Sequence, residues 1–158
     1  MRYAILTFAT ALALAGAAEA QTSAKARHFL RDAMEGDNSE VMLGKLAVAQ
    51  GDATKSYGHM LVDDHSMHLQ KVEKVAAAMN VPKDSQPMPA AEKERDKLMG
   101  LHGADFDKEF ARYMAKDHKK DIGEYEKAAK IKGDVGQLAQ DTLPTLHKHL
   151  DEAQKLGG

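Results

Sequence analysis

Gly58, Leu61, His65, His68, Val72, Val75 and Met79 follow one another at spacings of 3, 4, 3, 4, 3 and 4. Side chains at that spacing share one face of an α-helix, so the run predicts a helix whose inner stripe packs against other helices. Two members of the stripe are histidines. An imidazole inside an apolar seam is costly unless it has a partner, so the rest of the chain must bring partners to the same level.

Three further helical stripes are present. The first helix carries Phe29, Leu30, Ala33 and Met34, meets a turn-like cluster at Gly36-Asp37-Asn38-Ser39, and resumes from Glu40 to Gln50. The cluster predicts a break or a recapping point with Ser39 as N-cap. Phe106, Phe110, Met114, His118, Ile122, Tyr125 and Ala129 form the stripe of a helix capped by Asp105. Val135, Ala139, Thr142, Leu146, His149, Ala153 and Leu156 form that of a helix opened by Gly133-Asp134. Pro144 lies within it and implies either a kink or a recapped segment. No alternating β-branched run occurs. The fold class is all-α: a four-helix bundle. The link at Gly51-Asp52 makes its first two helices antiparallel neighbours. A long connection over 80–104, with a short helix near 90–99, joins helices two and three. It either loops back at one end or crosses the length of the bundle.

His65 stands 13 residues after Asp52, His118 stands 13 after Asp105 and His149 stands 15 after Asp134. Rising about 1.5 Å per residue, the three reach similar heights near mid-bundle whichever way each helix runs. Three inward imidazoles from three helices suit a metal site in a bundle core, and Glu40 is the natural fourth ligand. His68, one turn from His65, is a further ligand, a group orienting one, or an extra polar contact. Asp64, Asp117 and Asp121 either orient imidazoles or are surface charges paired with neighbouring lysines. His28, His59, His102 and His147 fall off the stripes and are expected in solvent.

The donor set bears on the metal. Di-iron carboxylate bundles use Glu-x-x-His, and no histidine here has a glutamate three residues before it, which disfavours di-iron chemistry. Three imidazoles and one carboxylate favour zinc as the divalent ion, with copper or nickel as alternatives. Met60, Met67 and Met114, near the histidines in sequence, either offer thioethers to copper(I) or fill the core, and filling is the commoner use.

Arg2, the apolar run 3–18 and Ala18-Glu19-Ala20 make a secretory leader over residues 1–20, leaving a bundle domain over 21–158. This predicts a periplasmic protein, with association to the outer membrane as a variant. No stretch of the mature chain is apolar for long enough to span a bilayer. The net charge of −2 points away from nucleic acid and from anionic membranes. The chain has no cysteine, so no disulfide supports it. Protonating all eight histidines would move the charge from −2 to +6, so acid should matter.

The ordered set S-E-V-M-L-G-K-L-A (39–47), H-M-L-V-D-D-H (59–65), F-D-K-E-F-A-R-Y-M-A-K-D-H (106–118) and L-P-T-L-H-K-H-L-D-E-A (143–153) resembles a bacterial envelope family, the ferritin-like domain of unknown function 4142. The resemblance covers essentially the whole mature chain. It implies a ferritin-like bundle behind a signal peptide, with motif positions at Glu40, His65, His118, Pro144 and His149. The family often has a small apolar residue where His68 stands. It brings no settled activity, and its label describes a fold.

The leading expectation is a secreted, non-enzymatic protein that binds, buffers or delivers a divalent ion. The alternative is an envelope stress or interaction protein whose core histidines form a polar, acid-sensitive layer. A metalloenzyme with an open coordination position is the third reading.

Overall fold

In the computed structural model, residues 6–157 are described, with side chains from Ala20 onward; all but the last residue of the leader expected over 1–20 falls outside the side chains so described. Five helices follow one another: α1 (Leu6–Gln50), α2 (Lys55–Ala78), α3 (Pro89–Leu98), α4 (Gly103–Ala128) and α5 (Asp134–Gly157). Among the described residues no strand forms, and the fold is all-α. Among the described residues, no helix is long and apolar enough to cross a membrane.

α1 packs chiefly on α2, and α4 on α5; the two pairs meet mainly through α2 with α5 and α1 with α4. Gly44 and Gly58 let α1 and α2 approach closely. A Cβ on Gly58 would lie 2.7 Å from the Gly44 carbonyl oxygen, and one on Gly44 would lie 2.9 Å from that of Gly58. The inward place of Gly58 on its stripe is therefore a backbone contact.

The connection after α2 crosses the length of the molecule. It begins near the early part of α1, where Arg27 donates to the Asn80 carbonyl. Midway, Asn38 donates to the Asp84 carbonyl and the Met88 amide donates to Ser39 Oγ. It ends at the α1–α2 turn, where Asp107 of α4 accepts bonds from the Ala53 amide and from the amide and hydroxyl of Thr54. So α4 runs parallel to α2, and α5 parallel to α1.

The break expected at Gly36–Ser39 is absent, and Ser39 is no N-cap: α1 continues through it. The polar residues that read as a stop have partners elsewhere. Asn38 Nδ2 donates to the Met34 carbonyl and Ser39 Oγ to that of Glu35, each one turn back. Both also hold the 80–88 connection, and Asp37 is buried against α2. Tertiary bonds here outweigh the local preference of Asn and Ser for caps and turns. Two other starts also shift. α1 is helical well before Ser23, and α4 opens at Gly103 after His102, which leaves Asp105 inside its first turn. Pro144 stays within α5 on its exposed side, where water can serve the carbonyl that it leaves without a donor.

Apolar side chains form two clusters. One joins Leu30, Met34, Val72, Ile122, Val135 and Leu146; the other joins Leu43, Leu61, Phe106, Phe110, Met114 and Ala153. Each fully buried Leu or Phe contributes about 1.5–3 kcal/mol. Along every long helix the interval between the clusters holds polar residues: Asp37 and Glu40, His65 and His68, Asp117 to Asp121, and His149. The sequence thus places a polar layer at mid-height between two apolar halves.

Candidate metal centre

His65 (α2), His118 (α4) and His149 (α5) converge in that layer. They are 6%, 0% and 0% exposed, and one ring nitrogen of each lies within 4.8 Å of those of the other two. The ring centroids of His65 lie 5.9 Å from His118 and 5.2 Å from His149, and those of His118 and His149 are 5.2 Å apart.

The outward nitrogen of each ring is committed to an oxygen. His65 Nδ1 is 2.8 Å from Asp37 Oδ1, His118 Nδ1 is 3.0 Å from the Met114 carbonyl, and His149 Nε2 is 2.9 Å from Asp64 Oδ2. A carbonyl or carboxylate oxygen accepts, so each of these nitrogens carries the ring's proton. The inward nitrogens, His65 Nε2, His118 Nε2 and His149 Nδ1, then carry lone pairs. His65 Nε2 is buried with no hydrogen-bond partner. His118 Nε2 and His149 Nδ1 face each other at 3.2 Å, close to the roughly 3.3 Å between two nitrogens on one tetrahedral zinc at about 2.0–2.1 Å. Burial, with the neighbouring imidazoles, pushes His118 well below the ordinary histidine range. Burial and His65 lower His149 to about 4 against the pull of Asp64. Both rings are neutral at neutral pH, the form in which imidazole binds metal.

Asp37 organises the other side. It is 2% exposed and accepts from both His65 Nδ1 and His68 Nδ1, the latter at 2.8 Å. Burial alone would raise its carboxyl, but the hydrogen bonds from the two histidines carry it below the usual value. His68 therefore sits behind the site, bonded to the carboxylate that orients His65, and its Nε2 is buried without a partner.

Glu40 is placed differently from the fourth-ligand expectation. Its Oε1 lies 3.9 Å from His118 Nδ1, the nitrogen turned away from the other imidazoles. Instead it groups with Asp117 and Asp121, one carboxylate oxygen of each within 4.8 Å of the others. Burial, followed by Asp117 and Asp121, pushes Glu40 well above the usual range. Burial and Asp117 push Asp121 up to about 8, and burial raises Asp117.

The aspartates left between two readings now have places. Asp64 does orient an imidazole, that of His149 on another helix, while Asp117 and Asp121 surround Glu40. Met67 is exposed, and Met60 and Met114 pack with the apolar cluster. His28, His59, His102 and His147 are exposed. Sequence reasoning missed Asp37, although it continues the inward stripe of α1 three residues before Glu40.

A cavity of about 20 Å³, room for one water, is lined by Asp37, His65 and Asp121, with Asp32 and Glu124 among its other walls.

No curated protein and no solved structure matches the chain. A family model described as "Domain of unknown function (DUF4142)" matches residues 11–156. With nearly the whole length matched, the chain belongs to that family of unknown function.

Proposed function

We propose that this is a secreted, ferritin-like four-helix-bundle protein that holds one divalent metal ion, zinc by preference, through His65, His118 and His149. It serves to bind, buffer or deliver the ion rather than to catalyse a reaction. One observation carries the metal reading: three buried imidazoles each give their proton to an outward oxygen and turn a lone pair toward a common point. Three nitrogens suit zinc, with copper next. The bundle reading is supported by two antiparallel helix pairs joined by a lengthwise connection. The secreted, periplasmic reading rests on the leader features of residues 1–20.

Three protein ligands leave a fourth position for water or a transferring ligand. The cavity beside His65 admits a water and has no room for an organic substrate, which favours handling of the ion over turnover.

Metal content of tag-free protein purified from the periplasm, measured by mass spectrometry beside the triple alanine variant of the three histidines, tests the reading. Near-stoichiometric zinc or copper, lost in the variant, is expected. Protein that stays metal-free after incubation with both ions overturns it. An N-terminus at Gln21 in the same material tests the leader.

The buried Asp37 joined to His65 and His68 favours a second reading, an acid-sensitive polar layer in a non-enzymatic envelope stress or interaction protein. In that case added metal would leave the melting temperature unchanged.

A further inference from the structure

Glu40 is 1% exposed, and neither of its carboxylate oxygens has a hydrogen-bond partner. A stranded buried carboxylate is among the costliest groups a core can hold. A proton shared with Asp117, its neighbour across the α1–α4 seam, would satisfy at most one of the two oxygens. The charges around it are mostly of its own sign. Asp117 and Asp121 stand one turn apart on α4, with Glu124 beyond them. Lys120 reaches Asp121 at 4.0 Å and Glu124 at 3.4 Å from an exposed position. His118 Nδ1 is near, but its proton goes to the Met114 carbonyl.

Three converging carboxylates make an all-oxygen donor set, the kind that hard divalent cations take. Metal–oxygen distances of about 2.0–2.6 Å place oxygens on opposite sides of one ion about 4–5 Å apart. The three carboxylate oxygens lie within 4.8 Å of one another, so they fit around a single ion without rearrangement of the backbone.

We propose that Glu40, Asp117 and Asp121 form a second cation site, separate from the three imidazoles, that takes a hard divalent ion such as Mn²⁺, Mg²⁺ or Ca²⁺ with water completing its shell. None of its donors belongs to the nitrogen site, so its donor set is complete without zinc there. Asp121 also lines the small cavity beside His65, whose other walls include Asp32 and Glu124. This acidic lining attracts cations to the Asp121 edge of the site.

The test uses Mn²⁺ as probe on chelator-treated full-length mature protein. Binding is followed by electron paramagnetic resonance and competed with Mg²⁺ and Ca²⁺. Wild type and the double variant His65→Ala/His149→Ala, which lacks the nitrogen site but keeps His118, should bind one Mn²⁺ with the same affinity. Glu40→Gln and Asp121→Asn, both isosteric, should each weaken binding by about tenfold or more, because affinity at oxygen sites follows ligand charge. Asp121 is partly exposed, so its variant reports even if the change at Glu40 disturbs folding. Absence of Mn²⁺ binding by the wild type at about 1 mM, the weak end of such sites, overturns the proposal. So does binding that is lost in the double histidine variant yet kept in both carboxylate variants.

Discussion

His118 Nε2 and His149 Nδ1 face each other at 3.2 Å, and each is the nitrogen its own ring has left without an outward partner. Two lone pairs at that distance repel. Protonation of His149 would turn the contact into a hydrogen bond, but burial holds that ring's pKa down at about 4. A metal ion removes the repulsion without needing acid. His118 and His149 should therefore keep their lone pairs for zinc from pH 8 to about pH 5, and their share of the affinity should fall only as His149 charges toward pH 4. A site of ordinary histidines, with pKa about 6.5, would already lose roughly tenfold per histidine at pH 5.5. Competition titrations with a zinc indicator at pH 7.5 and pH 5.5 distinguish the two profiles.

Asp37 fixes the tautomer of His65, so Asp37→Ala should weaken zinc binding by about 10–100-fold, the usual cost of removing a carboxylate behind a metal-bound histidine. It should also destabilise the metal-free protein, since two buried donors lose their acceptor at about 1–3 kcal/mol each. His68→Ala leaves Asp37 in place and should cost less affinity. Isothermal titration with zinc and urea melts of the same variants give the two rankings.

The metal-free protein should lose stability toward alkaline pH as well as toward acid. The carboxyl of Asp121 is raised from 3.8 to about 8 in the folded state, so the native state binds more protons than the unfolded chain between those values. Stability from this group is complete below pH 4 and fades as pH rises toward 8. His149 has the opposite sign: lowered from 6.5 to about 4, it contributes above pH 6.5 and is lost on acidification through 4. Between pH 6.5 and 8 the Asp121 effect changes by roughly 1–2 kcal/mol, Glu40 and Asp117 act with the same sign, and the tail of the histidine effect opposes them. Chemical melts of chelator-treated wild type at those two pH values should show that decline, and Asp121→Asn should reduce it.

Three glycines of α1 and α2 should respond differently to alanine. Gly44→Ala and Gly58→Ala each drive a methyl group into the facing backbone and should destabilise by about 1–3 kcal/mol. Gly36→Ala meets nothing nearer than the Met88 methyl at 4.0 Å and should stabilise by about 0.5–1 kcal/mol, the helix-interior cost of glycine. Thermal melts of the three single variants check the order.

The inward faces of α2, α4 and α5 were legible because a histidine within a 3–4 spacing can only point where its apolar neighbours point. Counting from helix starts then sufficed to bring His65, His118 and His149 to one height. Glu40 shows where such counting stops. Its height and face were right, yet it lies behind His118, because periodicity does not tell which neighbour a side chain turns toward. Asp37 was hidden by its company: Gly36, Asn38 and Ser39 signal a turn from local preference, and only their bonds to Asp84, Met88 and the histidines of α2 reverse it. Those partners lie 28 to 49 positions away in the chain. Asp64 likewise oriented a histidine, but one 85 positions on.

The lengthwise connection makes the chain two helical hairpins, α1 with α2 and α4 with α5, laid side by side. His65 belongs to the first hairpin, and His118 and His149 to the second. An ion held by all three is a rivet through the joint between them. Without it, the joint rests on the two apolar clusters, in which both hairpins meet; with it, the hairpins are also tied at mid-height. Occupancy of a wholly internal site would then register on the outside of the molecule, as slower amide exchange along the joint, where a partner could sense it without touching the metal.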